Sequence, residues 1–321
     1  MKLLPVLLPL IAALAPLSAA DAAYPERRIS LVVGSVAGSP TDLVARVLEP
    51  RLKEILGQTV LIENKSGANG IPAVEFVQRA PADGYTFLIA PAGTFTINPV
   101  IFAKSGGANV ETLVPVSMIA SSALSMSVRA SLGVKSCPEM ISEIRKNPGK
   151  FNMGAAAVGT LTNLSGQLLK QRAGLSFEII PHNGANAGVT AVAGGHADFG
   201  IESLSVARPF IESGHIVMLA TTGAKRDPDY PDVMTLNECG VPGDEIIGWI
   251  AISAPPETPA DVVDIMQKAI ARAVTHPDAI AGFKKIVFYP VASTPAAFAA
   301  QIRAESATFR QLLEAPNLAP K

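Results

Sequence analysis

Three stretches of small and hydroxyl-bearing residues carry whatever chemistry this chain performs. They are Gly38-Ser39-Pro40-Thr41-Asp42, Ala92-Gly93-Thr94-Phe95 and Thr160-Leu161-Thr162-Asn163. Each follows an apolar run of strand type, and the first and third lead into helical patterns. A strand, a small-residue turn and a helix N-terminus leave several backbone N–H groups without intrahelical partners. Those groups, with the helix dipole behind them, suit an anion such as a carboxylate. Ser39, Thr41, Gly93, Thr94 and Thr160 are the best contacts on this reading, although turns and caps alone would also call for them. Asp42 reads as a cap, because its charge repels an anion. Phe95 either stacks on an apolar ligand body or fills the core. Asn163 either hydrogen-bonds a distal polar group or caps its helix. His182 reads as a hydrogen-bonding residue of the cleft.

Catalysis finds little support. There is no GxSxG elbow, no HExxH and no cluster with metal-ligand spacing. Ser39 or Ser203 with His182 and Asp42 carries no triad signature. The sequence therefore predicts no enzyme, no cofactor and no metal.

The elements that position these stretches alternate. Arg28 to Val33, Thr59 to Glu63 and Tyr85 to Ala90 read as strands, and Thr41 to Leu56 and Ile71 to Ala80 as helices. Gly57 stops the first helix, and Pro50 inside it predicts a kink or a break. Pro91 to Pro99 reads as a polar loop. Met118 to Val128 is an apolar run that carries the chain into a second domain. Helices over Pro138–Asn147 and Leu164–Arg172 and strands over Phe151–Ala155, Phe177–Pro181, Ala197–Ile201 and Ile216–Thr221 follow. After Thr222 the chain returns, through an apolar run from Ile246 to Ser253, and ends in helices and a frayed tail, Asn317 to Lys321. Repeated βα units predict an α/β fold with parallel sheets, whose ligands sit beyond the C-terminal ends of the strands.

Composition sets the outer bounds. The 321 residues suffice for about two domains. Charged residues make up 17%, and the formal net charge of −1 suggests neither a nucleic-acid surface nor a polybasic membrane patch. Any anion site must therefore be local. Residues 1–23 read as an export signal: Lys2, an apolar stretch from Leu3 to Leu17, and small residues for cleavage. That stretch is short and broken by prolines, so the mature chain is expected to be soluble, outside the cytoplasmic membrane. Cys137 and Cys239 have neither metal nor redox spacing. Two buried free thiols is the preferred expectation, and a bridge would need Cα atoms closer than about 7 Å.

With these residues in view, the chain resembles the Bug family, the extracytoplasmic solute receptors of tripartite tricarboxylate transport systems. An ordered series over nearly the whole mature chain carries the resemblance. It runs from Tyr24-Pro25 and the strand ISLVV through Gly38-Ser39-Pro40-Thr41-Asp42, Glu63-Asn64-Lys65, Gly67 to Gly70 and Pro81-Ala82-Asp83-Gly84-Tyr85-Thr86. It continues through Ala92-Gly93-Thr94, Ile97-Asn98-Pro99, Asn147-Pro148-Gly149-Lys150 and Gly194-Gly195 to Gly248-Trp249. The resemblance implies a two-domain fold of the type II periplasmic-binding-protein kind with the ligand between the domains. The expected division is 24–125 with 226–321, and 126–225. It also implies a periplasmic location, a monomer, a small carboxylate ligand and integral membrane transporter subunits as partners. A sensor feeding a membrane signalling partner is the alternative, and a hydrolytic enzyme on the same fold a third reading. The chain departs from the family pattern in its first loop, which lacks the usual Pro-Gly-Gly run. It departs also at Phe95 and Asn163, where His is common, at His182-Asn183, where Tyr-Lys is common, and at Glu202, where Asp is common. Glu202 could meet a ligand amine or hydroxyl.

Overall fold

The computed structural model describes residues 24–102, 110–241 and 246–314. The expected export signal and the expected frayed tail lie outside the described residues. In the first part of the chain β1 (Ile29–Val33), α1 (Pro40–Leu56), β2 (Val60–Asn64), α2 (Ile71–Gln78) and β3 (Thr86–Pro91) alternate, followed by the short helices α3 (Ala92–Thr96) and α4 (Asn98–Ile101). The long strand β4 (Val114–Arg129) leads to α5 (Cys137–Lys146), β5 (Asn152–Ala156), α6 (Leu161–Ala173), β6 (Glu178–His182), α7 (Ala185–Ala193), β7 (Phe199–Ser203), α8 (Leu204–Glu212) and β8 (Ile216–Thr221). The chain closes with β9 (Met234–Thr235), β10 (Ile247–Ala254), α9 (Ala260–Val274), α10 (Pro277–Lys285), β11 (Tyr289–Pro290) and α11 (Pro295–Glu314).

The strands run in the order β2-β1-β3-β10-β4-β7-β5-β6. β4 is what joins two sheets into one path. Its first part, Val114 to Ala123, pairs with β10, and its second, Leu124 to Arg129, lies between β7 and β8. β1 is parallel to β2 and β3, and β5 is parallel to β6 and β7. The sheets are nevertheless mixed rather than all parallel: β10 is antiparallel to both β3 and β4. Its chain returns from the second lobe and so runs against the strands it joins.

Both faces of the first sheet are covered. Leu31 and Val33 point into one cluster with Val44, Leu48, Phe87 and Ile89, while Val32 and Leu88 point into another with Val74, Phe95 and Trp249. A strand buried on both sides reads as a continuous apolar run, which is what LVV is. The second lobe has its own core around Met126, Met153, Leu168, Phe177 and Phe199. Leu236, Cys239 and Val241 pack there, and β9 pairs with β8, so this stretch sits with the second core and not with the first domain as expected.

Three local expectations are corrected. Pro50 does not break α1, which is one element from Pro40 to Leu56; Pro50 is exposed, so the carbonyl it leaves unbonded lies on the solvent side. Pro91 to Pro99 is not a loop but holds α3 and the start of α4, with residues 92–98 all buried. α6 begins at Leu161, which puts Thr162 and Asn163 inside the helix. The cysteines are also not free: Cys137 and Cys239 form a disulfide, with Cα atoms 5.9 Å apart. Packing on the second core brings Cys239 to the start of α5, a proximity invisible in the sequence.

Candidate functional site

The strand ends gather the small-residue turns around one cleft between the lobes, about 320 Å³ in volume. Ligand pockets commonly span roughly 300–1,000 Å³, so this one suits a small molecule. Its walls come from the turns after β1, β2 and β3 on one side and after β5 and β6 on the other; β4 and β10 form its floor through Ser122, Leu124, Gly248, Trp249 and Ile250. Among the described lining residues there is no ionisable side chain.

Helix N-termini supply the polarity instead. α1 starts with Ser39 as its N-cap, whose hydroxyl accepts from the Asp42 N–H at 3.3 Å and lies 2.7 Å from the Ser35 hydroxyl. Thr160 caps α6, accepting from the Asn163 N–H at 3.3 Å and donating to the Ala157 carbonyl at 2.7 Å. The Thr162 hydroxyl accepts from the Ala156 N–H at 3.2 Å. Gly184, φ 94°, is the N-cap of α7 and gives it no side-chain cap, and Gly184, Ala185 and Asn186 line the cleft, so the helix N-terminus stands at its wall. Three helices thus bring their positive ends to one small, largely apolar space.

Of the residues expected at a site, Ser39, Pro40, Thr41, Ala92, Gly93, Thr94, Thr160 and Thr162 line this cleft. The others do not. Gly38 lies outside the lining, its N–H donating to Asp42 Oδ2 at 2.8 Å. Asp42 is turned behind the loop, where Arg46 and the Asn64 side-chain amide also reach it. Phe95 is core: it stacks on Trp249 with ring centres 5.8 Å apart and meets Phe298 edge-on. Asn163 is buried in the first turn of α6. His182 ends β6 outside the lining.

Glu202 is the largest displacement from expectation. On β7 successive side chains alternate, and Ser203 takes the cleft face while Glu202 takes the other. It is 2% exposed, and neither carboxyl oxygen has a hydrogen-bond partner. Gly188 of α7 packs over it, so close that a Cβ there would lie 2.7 Å from Oε1. Burial pushes its carboxyl well above the ordinary value of 4.5, opposed only by the nearby Ala156 amide. The proton is held in the folded state, so the stability it provides is complete below pH 4.5 and is lost as pH rises through the folded value. Glu202→Gln is therefore expected to gain in melting temperature over the parent as pH rises from about 5 to about 9. Parallel melting curves across that range would refute it.

The sequence reading missed Ser35, Ser66 to Gly70, Asn98, Asn183 to Asn186, Ser203 and the floor strand. The signal for the α7 end was Gly184 ahead of a helix. Gly248-Trp249, the signal for the floor, stood in the sequence as a mark of the family resemblance; Trp249 lines the cleft while its indole N–H donates to Glu305 at 2.8 Å.

Residues 44–318 match the model of the tripartite tricarboxylate transporter family receptor. The chain belongs to this family. The receptor is 30% identical to BugT of Bordetella pertussis over 286 residues, covering 88% of this chain and 86% of that one. Among solved structures it is similar to Rpa4515 of R. palustris with adipate, at 32% identity and TM-score 0.86, covering 91% and 97% of the two chains. It is also similar to MatC of Rhodopseudomonas palustris with bound malate, at 26% identity and TM-score 0.83, covering 91% and 100%. The two-domain periplasmic-binding-protein fold follows from these neighbours. No helix among the described residues is long and apolar enough to cross a membrane.

Proposed function

We propose that this receptor captures a small carboxylic acid in the interlobe cleft, in the periplasm, and presents it to integral membrane subunits of a tripartite tricarboxylate-type transporter. One observation carries the reading: the N-termini of α1, α6 and α7 converge on a cleft with no charged side chain among its described lining residues. A carboxylate there is stabilised by N–H groups, hydroxyls and helix dipoles, with no cation to desolvate. The adipate and malate held by the two similar structures support the ligand class. Ser39, Thr41, Gly93, Thr94, Thr160 and Thr162 are the contacts in this reading. The first lobe, residues 24–125 with the chain from β10 onward, and the second lobe, between them, close on the ligand and act as a monomer. The protein binds and releases without chemistry.

Ser39→Ala and Thr94→Ala each remove a hydroxyl from the wall. Each is expected to weaken binding of a stabilising acid by about tenfold, near 1–1.5 kcal/mol for one hydrogen bond. A thermal-shift panel of di- and monocarboxylates with their uncharged amides selects the acid, and calorimetry measures the affinities. Unchanged affinity in both folded variants removes the carboxylate site. A shift with an amide and none with its acid reassigns the ligand.

A further inference from the structure

Two side-chain hydrogen bonds join residues of the opposed cleft walls, and they run in opposite directions; the Tyr289 hydroxyl on Asp227 and Lys284 beside Asp229 tie the lobes away from the cleft lining. Asn69, in the turn after β2 of the first lobe, donates its amide to the Val158 carbonyl of the second. Asn186, in the first turn of α7 of the second lobe, donates its amide to the Gly38 carbonyl of the first at 3.3 Å. Backbone carbonyls accept from either donor whatever occupies the cleft, so these bonds read the position of the lobes and not the chemistry of the ligand.

The local structure is shaped to reach this state. Gly67, Ala68, Asn69 and Gly70 all have positive φ, and for Ala68 and Asn69 these are 41° and 54°. Such backbone persists only where its surroundings over-determine it. Here Asn98 donates to the Asn69 carbonyl at 3.0 Å, and Gly70 packs against Gly34 so closely that a Cβ would lie 3.1 Å from its carbonyl. The opposite wall has been thinned to match. A Cβ on Gly159, itself at φ 89°, would lie 2.7 Å from the Asn69 amide nitrogen, and one on Gly93 would lie 3.4 Å from the Gly159 carbonyl. The same approach leaves Asn98 Oδ1 buried without a partner. Its orientation is fixed, because its Nδ2 is the group that can donate to Asn69. In this arrangement one acceptor is buried unpaired while two bonds span the gap, so the net gain is modest.

We propose that Asn69 and Asn186 form a reciprocal latch between the lobes that sets how long the cleft stays shut, independently of which ligand it holds. They are positioning residues: they act on the ligand through the lobe arrangement. The latch rests on the proposed capture of a solute by closure, but not on that solute being a carboxylate.

The test uses Asn69→Gly, which leaves the positive φ unstrained, Asn186→Ala, which suits a helix, and the pair together. Stopped-flow binding of two ligands from the thermal-shift panel should show dissociation faster by about three- to tenfold for each single variant, by the same factor for both ligands. A factor that differs between the ligands means direct contact and overturns the latch, as does an unchanged dissociation rate. A readout free of ligand chemistry separates this from failure of the carboxylate reading. Spin labels at Leu61→Cys and Ile180→Cys, exposed on the outer strands of the two sheets, report the interlobe distance. The paired latch variant should shift the distance distribution toward longer values, with or without ligand. An identical distribution in both conditions refutes the proposal, and so does a parent protein that is wholly open in both.

Discussion

Replacing Cys137 and Cys239 together by alanine is expected to lower stability by about 4–5 kcal/mol, the loop-closure value for a span of this length. The bridge joins residues 102 apart, so it encloses α5 to β9, most of the second lobe. Its ends are well placed to act on the folding of that lobe as a unit. Cys137 opens α5 and is fully buried, and Cys239 is 9% exposed, both within the second core. The native structure loses little packing by the change to alanine, and the unfolded chain regains the freedom of the closed loop. For a chain of this size the loss corresponds to roughly 6–8 °C in melting temperature. Urea unfolding distinguishes the cause. If the unfolded state is what changes, the midpoint falls while the denaturant slope rises, since the open chain exposes more surface. A midpoint equal to that of the parent would mean that the bridge constrains nothing the fold does not already fix. Because the bridge lies in one lobe and touches no cleft wall, ligand affinity measured well below the new melting temperature should be unaltered.

What could be read in the sequence was what local chemistry decides. α1 was legible to within a residue, from Thr41 to the Gly57 that stops it at φ 66°, but its cap is the Ser39 hydroxyl and not Asp42, as the sequence suggested. β1 was legible because a run buried on both faces needs no periodicity to be seen. The turns after β1, β3 and β5 were legible as parts of the cleft wall, since strand and small-residue turn are consecutive in the chain, while those after β2 and β6 were not. What failed depended on neighbours far away. α3 and α4 are five and four residues long and rich in Gly, Pro and Thr, with no propensity to announce them. They form where Ala92 to Asn98 are buried, and packing overrides propensity. Phe95 could not be assigned to ligand or core without knowing that Trp249 and Phe298 close on it. The bridge needed a through-space distance. Glu202 was misread by one step of strand alternation: the residue beside it faces the cleft, and it faces away.

The departures from the family pattern look different once placed. Phe95, standing where His is common, lies under the floor, so it changes what supports Trp249 and not what the ligand touches. His182, likewise, stays off the wall. The first loop lacks the Pro-Gly-Gly run, yet Gly38 has the positive φ, 77°, that the turn into α1 uses. Phe95, His182 and Glu202 therefore stand behind the cleft, whereas Asn183 lies on its wall.

That shell contains the second large effect. Asp42→Ala is expected to cost about 2–4 kcal/mol and to loosen the loop that carries Ser39. The Asp42 carboxylate is 1% exposed and accepts four hydrogen bonds: from the Gly38 N–H at 2.8 Å, from Arg46 at 2.8 and 3.2 Å, and from the Asn64 side chain at 3.0 Å. Burial alone would raise its carboxyl, but the bonds from Arg46, Gly38 and Asn64 outweigh burial and hold it below the ordinary 3.8. A depressed acid contributes stability that is present above the unfolded value and is lost as pH falls through the folded one. The parent should therefore lose stability on acidification where the variant, having nothing to protonate, does not. Urea midpoints at about pH 7 and about pH 3 should converge toward each other for the two proteins. A gap that stays constant would mean that the cost comes from lost packing and not from the charge. Asn64 ends β2, and its side-chain amide also donates to the Ser35 carbonyl at 3.0 Å, so the network ties β2 to both sides of the turn. Arg46, half in solvent, is free to relax when the carboxylate is removed, whereas the Gly38 N–H and the Asn64 amide are not. Asp42→Asn keeps one acceptor and should fall between the two. Its affinity for ligand then tells whether the charge of Asp42, or only its grip on Gly38, is what presents Ser39 to the cleft.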